Sequence, residues 1–362
     1  MAGNRNLNSA AKAKKDKFYT QLDDIAEEVR HYKEFFKGKS VLCNCDDPFE
    51  SNFFQYFALM FNTLELKRLV TTSYADSPIA GKEISLFPDG KTAYMTEATE
   101  LRDWNGDGRE DLLDVKFAIE HGIYKTTPLE GDHKYCAGDF RSKELIALLS
   151  QADVVVTNPP FSVFREYVKQ LIDYDKKFLI LGNKNALTYK EIFPLIKDDK
   201  LWGGFMPMGR EIYFDVPQEY IDEGLDAGKD RSIVLHDGRY MARSQSIWFT
   251  NIEAAKFRED IPLYKKYSPE EYPRYDNYDA IEVSKTAEIP EDYFGVMGVP
   301  ITFLDKYNPN QFEILGHTSA NDLSPAVEAL RLDPKNRNRG LINGQQKYDR
   351  ILIRRRHDDS QV

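Results

Sequence analysis

The stretch with the clearest capacity for chemistry is residues 153–164, Asp-Val-Val-Val-Thr-Asn-Pro-Pro-Phe-Ser-Val-Phe. Val154–Val156 form the continuous apolar run that a parallel strand has when both faces of its sheet are covered. Pro159 and Pro160 lack backbone N–H donors and have a fixed φ, so the strand must end before them. The pattern predicts a stiff turn at the carboxyl end of a strand, where open α/β sheets bind ligands.

This turn offers two hydrogen-bond acceptors, the side-chain carbonyl of Asn158 and the main-chain carbonyl of Pro159. Two converging acceptors suit an exocyclic amino group, because it has two hydrogens to donate and its lone pair is then free to attack an electrophile. Phe161 is suited to stacking on the ring that carries the amine. We therefore predict Asn158, Pro159, Pro160 and Phe161 as catalytic residues for methyl transfer to a base amine, in which alignment supplies roughly 7–11 kcal/mol. The alternative is a structural turn, since Asn-Pro alone is a common turn signal.

Helical and extended patterns alternate around this turn. Strands are predicted at 40–45, 66–73, 154–156, 176–182 and 246–252, and helices at 25–36, 52–61, 142–152 and 164–172. Strands separated by helices indicate βαβ units, so the fold class is α/β with a mainly parallel sheet. About sixty residues rich in Gly, Asp and Thr interrupt the pattern after residue 73, and we interpret them as an insertion between sheet elements.

Four motifs occur in an order that matches a known family. They are "DKFYTQLDDI" (16–25), "CNCDDP" (43–48), "GDFRS" (138–142) and "VVTNPPFSVFREYV" (155–168). Asn-Pro-Pro-Phe is similar to the Asp/Asn-Pro-Pro-Tyr/Phe motif of methyltransferases that act on amino nitrogens. Residues 16–200 resemble the EcoRI-type adenine-specific DNA methyltransferases, and the similarity continues weakly through 295–309. The resemblance implies a Rossmann-like S-adenosylmethionine-dependent methyltransferase fold and transfer to N6 of an adenine flipped out of double-stranded DNA.

The resemblance also implies a set of cofactor-binding residues at the ends of the predicted strands. They are Phe18, Tyr19, Thr20, Cys45, Asp46, Asp47, Asp139 and Phe140. The turn 44–48 lacks the glycines that most methyltransferases have there, so a carboxylate and main-chain groups are expected to replace them. Asp76 is the nearest carboxylate for the ribose hydroxyls. Asp139 as a helix cap and Phe18 and Tyr19 as core aromatics are the structural alternatives.

The sequence changes character after about residue 255, where short segments rich in Tyr, Pro and Asn begin. We predict a methyltransferase catalytic domain at 1–255, with its insertion at about 75–135, and a target-recognition or DNA-binding region at 256–362. The segment 267–279 is interpreted as a linker or surface loop. Basic residues concentrate near the C-terminus, and the predicted DNA contacts are Arg337, Arg339, Arg354, Arg355 and Arg356.

Composition narrows the possible partners. A net charge of −10 argues against indiscriminate polyanion binding but allows a local basic groove. The chain has no apolar run of 18 residues and no signal peptide, and three cysteines suit a reducing compartment, so we expect a cytoplasmic, non-membrane protein. We expect a monomer, and a cognate restriction endonuclease is left open. Rival functions are methylation of a glutamine amide or an RNA guanine amine, and a DNA-binding module without catalysis.

Two possible metal sites are weighed and not favoured. Residues 103–114 place Asp103, Asn105, Asp107, Asp111 and Asp114 at calcium-loop spacing, but no matching helix precedes them, so an acidic surface turn is the preferred interpretation. Cys43 and Cys45 stand two apart and are expected on one face of a strand. Because no second ligand pair follows, packed core residues are the better interpretation, and no metal is predicted.

Overall fold

The computed structural model describes residues 19–48, 51–74, 93–215, 221–222, 232–319, 322–333, 335–336 and 338–356. The chain divides into two compact units. The first unit consists of Met1–Lys184 and Arg210–Ile252, and the second of Asn185–Gly209 and Glu253–Val362. The predicted change near residue 255 therefore lies close to a unit boundary, whereas the grouping of Asn185–Gly209 with the C-terminal residues has no counterpart in the sequence pattern.

The elements run in chain order as follows. The strands are β1 (Tyr19–Thr20), β2 (Ser40–Asn44), β3 (Arg68–Thr72), β4 (Tyr94–Ala98), β5 (Lys125–Pro128), β6 (Val154–Thr157), β7 (Lys177–Asn183), β8 (Trp202–Gly203), β9 (Ile212–Asp215), β10 (Ile233–His236), β11 (Arg239–Ser244), β12 (Ser246–Thr250), β13 (Ile281–Glu282), β14 (Val296–Val299), β15 (Phe312–His317), β16 (Leu341–Ile342), β17 (Gln345–Gln346) and β18 (Ile351–Arg355). The helices are α1 (Leu22–Val29), α2 (Lys33–Phe36), α3 (Asn52–Leu59), α4 (Leu112–Glu120), α5 (Lys143–Gln151), α6 (Phe164–Asp173), α7 (Phe193–Lys197) and α8 (Pro325–Glu328). Short 3-10 turns lie at Arg30–Tyr32, Phe161–Val163, Lys184–Thr188, Ala255–Arg258, Thr286–Glu288 and Ile301–Lys306.

The main sheet of the first unit runs in the order β5-β4-β3-β2-β6-β7-β12. Its central strands β3, β2, β6 and β7 are parallel. Val154, Val155 and Val156 are fully buried, as their continuous apolar run predicted. The α/β fold class with parallel central strands is thus confirmed. The last strand, β12, is antiparallel to β7, so its start at Ser246 lies beside Asn183 at the carboxyl end of β7.

Part of the expected insertion belongs to the main sheet. β4 pairs antiparallel with β3, and β5 pairs antiparallel with β4, so both strands extend one edge. Tyr94–Ala98 alternate between buried and half-buried positions, which is the pattern of a strand covered on one face. Five alternating residues next to Gly- and Asp-rich turns are a weak sequence signal, and these two strands were missed for that reason. Residues 75–92 lie outside the described residues.

A second sheet of the first unit has the antiparallel order β1-β9-β11-β10. Its first strand, β1, belongs to the segment that the resemblance assigns to the cofactor. β11 continues after one residue into β12, which enters the main sheet at the carboxyl end of β7. The second sheet is therefore connected to the main sheet at the side where the carboxyl ends of the parallel strands lie.

The second unit contains the sheet β13-β14-β18-β15 and the small hairpin β16-β17. Residues 267–279 form no helix or strand, and most of them are exposed, as expected of a surface loop. They lie inside the second unit, so they do not link the two units, and buried tyrosines anchor them to its interior. Tyr272, Tyr275 and Tyr278 are buried, and the Tyr272 hydroxyl donates to the Glu288 carbonyl at 2.7 Å. The segment looked like a loop because it has no regular period; its tyrosines are buried because their hydroxyls find partners there.

Candidate active site

The predicted turn forms at the carboxyl end of β6. Thr157 ends the strand, Asn158 and Phe161 are half-buried, and Pro159 is buried. Phe161–Val163 make a 3-10 turn in which the Val163 N–H donates to the Pro160 carbonyl at 3.1 Å. The prolines stop the strand, and the 3-10 turn leads directly into α6. We call residues Asn158–Phe161 the tip.

Helix α6 is fixed directly behind the tip. Its first residue, Phe164, is buried and packs against Phe249 of β12 with ring centroids 5.1 Å apart. Gly182 of β7 makes this packing possible, because a Cβ atom at that position would lie 2.4 Å from the Phe164 ring. One turn further along α6, the buried Tyr167 hydroxyl donates to the side-chain oxygen of Asn44 at the end of β2. Aromatic packing at the start of α6 therefore fixes the position of the tip.

The turn after β2 takes an unusual path at Cys45. Cys45 has a φ of +69°, in the left-handed region where glycine is the usual residue. This single residue performs the backbone reversal for which most methyltransferases use glycine. It also means that Cys43 and Cys45 do not share a strand face, so that expectation is wrong. Cys43 is fully buried in β2, and burial raises the pKa of its thiol well above the usual range.

Asp46 lies in the same turn, and its carboxyl group is buried and hydrogen-bonded on both oxygens. Ser51 donates to Oδ1 at 2.7 Å, and the Thr157 hydroxyl contacts Oδ2. Its backbone is held too, because its N–H donates to the Thr72 carbonyl at 2.9 Å and its carbonyl accepts from Thr71. Burial raises the pKa of Asp46 to about 7 despite the two hydroxyls. Asp46 is thus built into the turn.

Asp47 is more accessible than Asp46. It is half-buried, and its carboxylate accepts a hydrogen bond from the Tyr94 hydroxyl at 2.6 Å. Tyr94 opens β4, so a strand that the sequence did not reveal orients this carboxylate. Of the three aspartates predicted to contact a cofactor, Asp47 is the one with a solvent-accessible side chain, and it stands at the carboxyl end of the parallel strands.

Asp139 forms a compact network with Arg141. Two guanidinium nitrogens bond its two carboxylate oxygens at 2.9 and 2.7 Å, and Arg141 reaches Glu166 of α6 at 3.1 Å. The Arg141 guanidinium also lies over the rings of Tyr135 and Phe140, at 4.7 and 5.1 Å. Asp139 does not cap α5, because the Ser142 hydroxyl accepts from a backbone N–H at that helix start. Sequence reasoning missed Arg141, although it stands inside the quoted motif.

The position of this motif depends on Gly138. Its φ is +78°, and a Cβ atom there would lie 2.0 Å from the carbonyl oxygen of Ser73. Only glycine allows the chain to pass so close to the end of β3. Phe140 is buried and packs edge-on against Tyr167 of α6 at 5.0 Å. The motif therefore meets the carboxyl ends of the parallel strands, as the resemblance implied.

Two buried hydroxyl groups lie at this carboxyl-terminal side of the main sheet. Thr20 Oγ1 and Thr72 Oγ1 are shielded from solvent and have no hydrogen-bond partner within the described part of the chain. Thr20 is placed beside the start of α3 because Asn52 donates to its carbonyl at 2.7 Å. Thr72 ends β3, opposite Asn44 of β2. Buried hydroxyls are normally satisfied, so they fit a polar ligand at this edge. The Tyr19 side chain is not described, and Phe18 and Asp76 lie outside the described residues.

The calcium-loop residues serve the local backbone. The Asp103 carboxylate accepts from the N–H groups of Gly106, Asp107 and Gly108, and Asp111 and Asp114 form the capping box of α4. Asn105 and Asp107 each accept from a backbone N–H two residues on. Among the described residues, no group of three or more His, Cys, Asp or Glu side chains is arranged to hold a metal ion.

The predicted DNA-contacting arginines are engaged within the second unit. Arg354 bonds Glu313 at 2.8 Å, Arg355 bonds the Glu291 carbonyl, and Arg356 bonds the Pro309 carbonyl at 2.7 Å. Arg339 pairs with Asp349 at 2.9 Å. Arg354 and Arg339 remain about half exposed. Arg337 lies outside the described residues.

Taken together, an α/β sheet with parallel central strands ends in an Asn-Pro-Pro-Phe tip beside a carboxylate-bearing turn, and this combination defines a Rossmann-like methyltransferase. Residues 6–356 match the sequence model of the family described as "Adenine-specific methyltransferase EcoRI". The chain belongs to this family and is therefore an adenine-specific methyltransferase enzyme. Within the described ranges, no helix has the length and apolar character needed to cross a membrane.

Three relatives match over nearly their whole length. The Type II methyltransferase M.EcoRI of Escherichia coli is 42% identical over 357 residues, which cover 98% of this chain and 97% of the relative. M.MpnI of Mycoplasma pneumoniae is 37% identical, with 97% and 98% covered. M.MgeORF184P of Mycoplasma genitalium is 34% identical, with 96% and 98% covered. No solved structure matches the chain significantly.

Proposed function

We propose that this enzyme transfers a methyl group from S-adenosylmethionine to the N6 amine of an adenine in a specific double-stranded DNA sequence. The observation that supports this most strongly is the tip itself. Asn158–Phe161 stand at the carboxyl end of β6, next to the turn after β2, which is the ligand-binding edge of an open α/β sheet.

The cofactor fits the residues at this edge. Thr20 and Thr72 offer buried hydroxyls, and the accessible Asp47 carboxylate offers an acceptor for hydroxyl or amino groups. We assign S-adenosylmethionine to these residues together with Tyr19, Cys45 and Phe140, and assign Asp46 and Asp139 a supporting role. When bound, the cofactor supplies an electrophilic methyl group.

The tip holds the amine. The Asn158 side-chain oxygen and the Pro159 carbonyl oxygen accept hydrogen bonds from the two N–H groups of the amine. These bonds keep the nitrogen lone pair from delocalising into the ring. Phe161, half-buried at the mouth of the turn, stacks on the adenine. Catalysis then rests on alignment, for which a rigid tip is needed, and the effect of such alignment is roughly 7–11 kcal/mol. No titrating general base is required before the transfer, because the nitrogen releases its extra proton to water after it has accepted the methyl group.

The target lies inside a duplex, so it must leave the stack to reach the tip, at a cost of roughly a few kcal/mol. We assign sequence recognition to the second unit and to part of the segment 75–135. Arg337, Arg339 and Arg354–Arg356 remain candidates for phosphate contact, with the half-exposed Arg339 and Arg354 preferred.

The hairpin β16-β17 is the preferred element for base contact. Asn343 and Gly344 form its two-residue turn with positive φ at both positions. The side chains of Gln345, Gln346 and Tyr348 are exposed, and within the described residues none makes a hydrogen bond or ring contact. The major groove of DNA admits a two-stranded β-ribbon, and Gln can bond adenine with two hydrogen bonds.

The cellular setting completes the proposal. We propose a cytoplasmic enzyme that acts as a monomer, because methylating one strand at a time needs no symmetry. A restriction endonuclease that cuts the same sequence is a fitting partner, as the Type II naming of the relatives suggests.

The test is methylation-sensitive long-read sequencing of DNA from a methylation-free host that expresses the chain. Wild type should leave methylated adenines in one recurring motif, and Asn158→Ala should leave none. Gln151→Ala is the matched control, because Gln151 is an exposed amide at the last residue of α5, before β6 begins and outside the tip. Unmodified DNA in a host that contains soluble wild-type protein would count against the proposal that DNA is the substrate.

A further inference from the structure

The tip and the turn after β2 are joined by one buried hydroxyl. Thr157 is the last residue of β6 and is fully buried, and Asn158 follows it directly. Its Oγ1 lies 2.6 Å from the carbonyl oxygen of Asn44 and also contacts Oδ2 of Asp46. Asn44 ends β2, and Asp46 lies in the turn that we assign to the cofactor. One side chain therefore bridges the two segments that must be aligned for methyl transfer.

The bonding at this bridge is specific to a hydroxyl. Thr157 has one proton, so it can donate to the Asn44 carbonyl or to the Asp46 carboxylate, but not to both at once. A protonated Asp46 can donate its own proton to Thr157, and Thr157 then donates to Asn44. Burial, which raises the pKa of Asp46 to about 7, makes this arrangement accessible near neutral pH. Valine, which has the same shape, can make neither bond.

We propose that Thr157 is a positioning residue, which fixes Asn158 relative to the cofactor turn through its bonds to Asn44 and Asp46. This inference rests on the proposed function, since it concerns the alignment of the same tip. The tip is braced from behind by Phe164 and Gly182, but Thr157 is the residue next to Asn158 that faces the β2 turn. Misplacing the reacting groups by about 1 Å can cost on the order of a hundredfold in rate.

The experiment compares Thr157→Val, Thr157→Ser and Ser51→Ala in steady-state methylation of the motif found for wild type. Thr157→Val removes the hydroxyl and keeps the volume, so kcat should fall roughly tenfold to a hundredfold while KM for DNA changes little. Thr157→Ser keeps the hydroxyl and should retain kcat. Thr157→Cys replaces the hydroxyl by a weaker donor and serves if the valine variant does not fold; its kcat should fall in between.

Ser51→Ala is the matched control. Ser51 bonds the other oxygen of the same Asp46 carboxyl and caps α3, but it has no bond to the tip. It should lower Tm, as the loss of a helix cap does, and leave kcat within about twofold of wild type.

Two results separate the possible failures. An inactive wild type would overturn the proposed function itself. An active wild type with unchanged kcat in Thr157→Val, or with equal kcat losses in Thr157→Val and Ser51→Ala, would overturn the positioning role and leave the proposed function standing.

Discussion

Asp46 makes the stability of the enzyme depend on pH in a direction opposite to that of most carboxylates. Burial raises its pKa from 3.8 to about 7, and the neighbouring Asp47 adds to the effect. Between these two values the folded state binds a proton that the unfolded state has lost, so the free energy of unfolding falls as pH rises. The contribution is fully present below about pH 4 and is lost above about pH 7, and its total is about 4 kcal/mol.

Asp46→Asn removes this dependence. The amide nitrogen can donate to Thr157, and the amide oxygen can accept from Ser51, which reproduces the neutral carboxyl group. The variant should therefore gain stability relative to wild type as pH rises. Between pH 6 and pH 8.5 the difference in unfolding free energy should change by roughly 1 kcal/mol in favour of Asn. Burial raises the pKa values of the Cys43 thiol and the Tyr167 hydroxyl well above their usual ranges. Both groups are present in wild type and in the variant, so the pH dependence that they cause cancels in the difference between the two proteins.

The assay is urea unfolding of both proteins at half-unit steps from pH 6 to pH 8.5, followed by circular dichroism. The m-values must agree for the comparison to hold. Parallel stability curves for wild type and Asp46→Asn would refute the reasoning, because they would mean that Asp46 is already ionised in the folded state at pH 6. A variant that becomes less stable than wild type as pH rises would refute it as well.

Three further outcomes are expected. Gly138→Ala should lose more than about 2 kcal/mol of stability, because its Cβ atom would clash with the Ser73 carbonyl oxygen. Gly108→Ala is the control: Gly108 has a φ of +87° but open space around it, so this variant should lose only about 1 kcal/mol. Thermal unfolding compares the two variants, and equal losses would contradict the packing argument. Millimolar calcium should leave Tm unchanged, because the Asp103 carboxylate already accepts backbone N–H groups; a rise in Tm with calcium and not magnesium would reverse this view. Gln346→Ala should relax the methylated motif at one position, read by long-read sequencing, and an unchanged motif would remove this hairpin residue from base recognition.

The central strands and the tip were predictable from sequence because their signals are local and strong. A continuous Val run followed by two prolines has few structural interpretations, and the structure has the strand and the turn at those residues. The same holds for β2, β7 and β12, whose buried runs are short but uninterrupted.

The parts that sequence reasoning missed depend on long-range contacts. Thr157 meets Asp46 across 111 positions, and Tyr94 meets Asp47 across 47 positions, so no local pattern reveals either pair. The buried tyrosines of 267–279 are polar enough to suggest a loop, and only the partners of their hydroxyls explain their burial. Cys45 in a left-handed conformation goes against the preference of its residue type, as happens where tertiary contacts dominate.

The central claim is tested most directly by tracing the methyl group itself. Purified enzyme is incubated with double-stranded DNA and S-adenosylmethionine carrying a deuterated methyl group, and the nucleosides are then analysed by mass spectrometry. The account predicts deuterated N6-methyladenine with wild type and none with Asn158→Ala. Label on a cytosine amine, or label absent from DNA and present on protein or RNA, would contradict it.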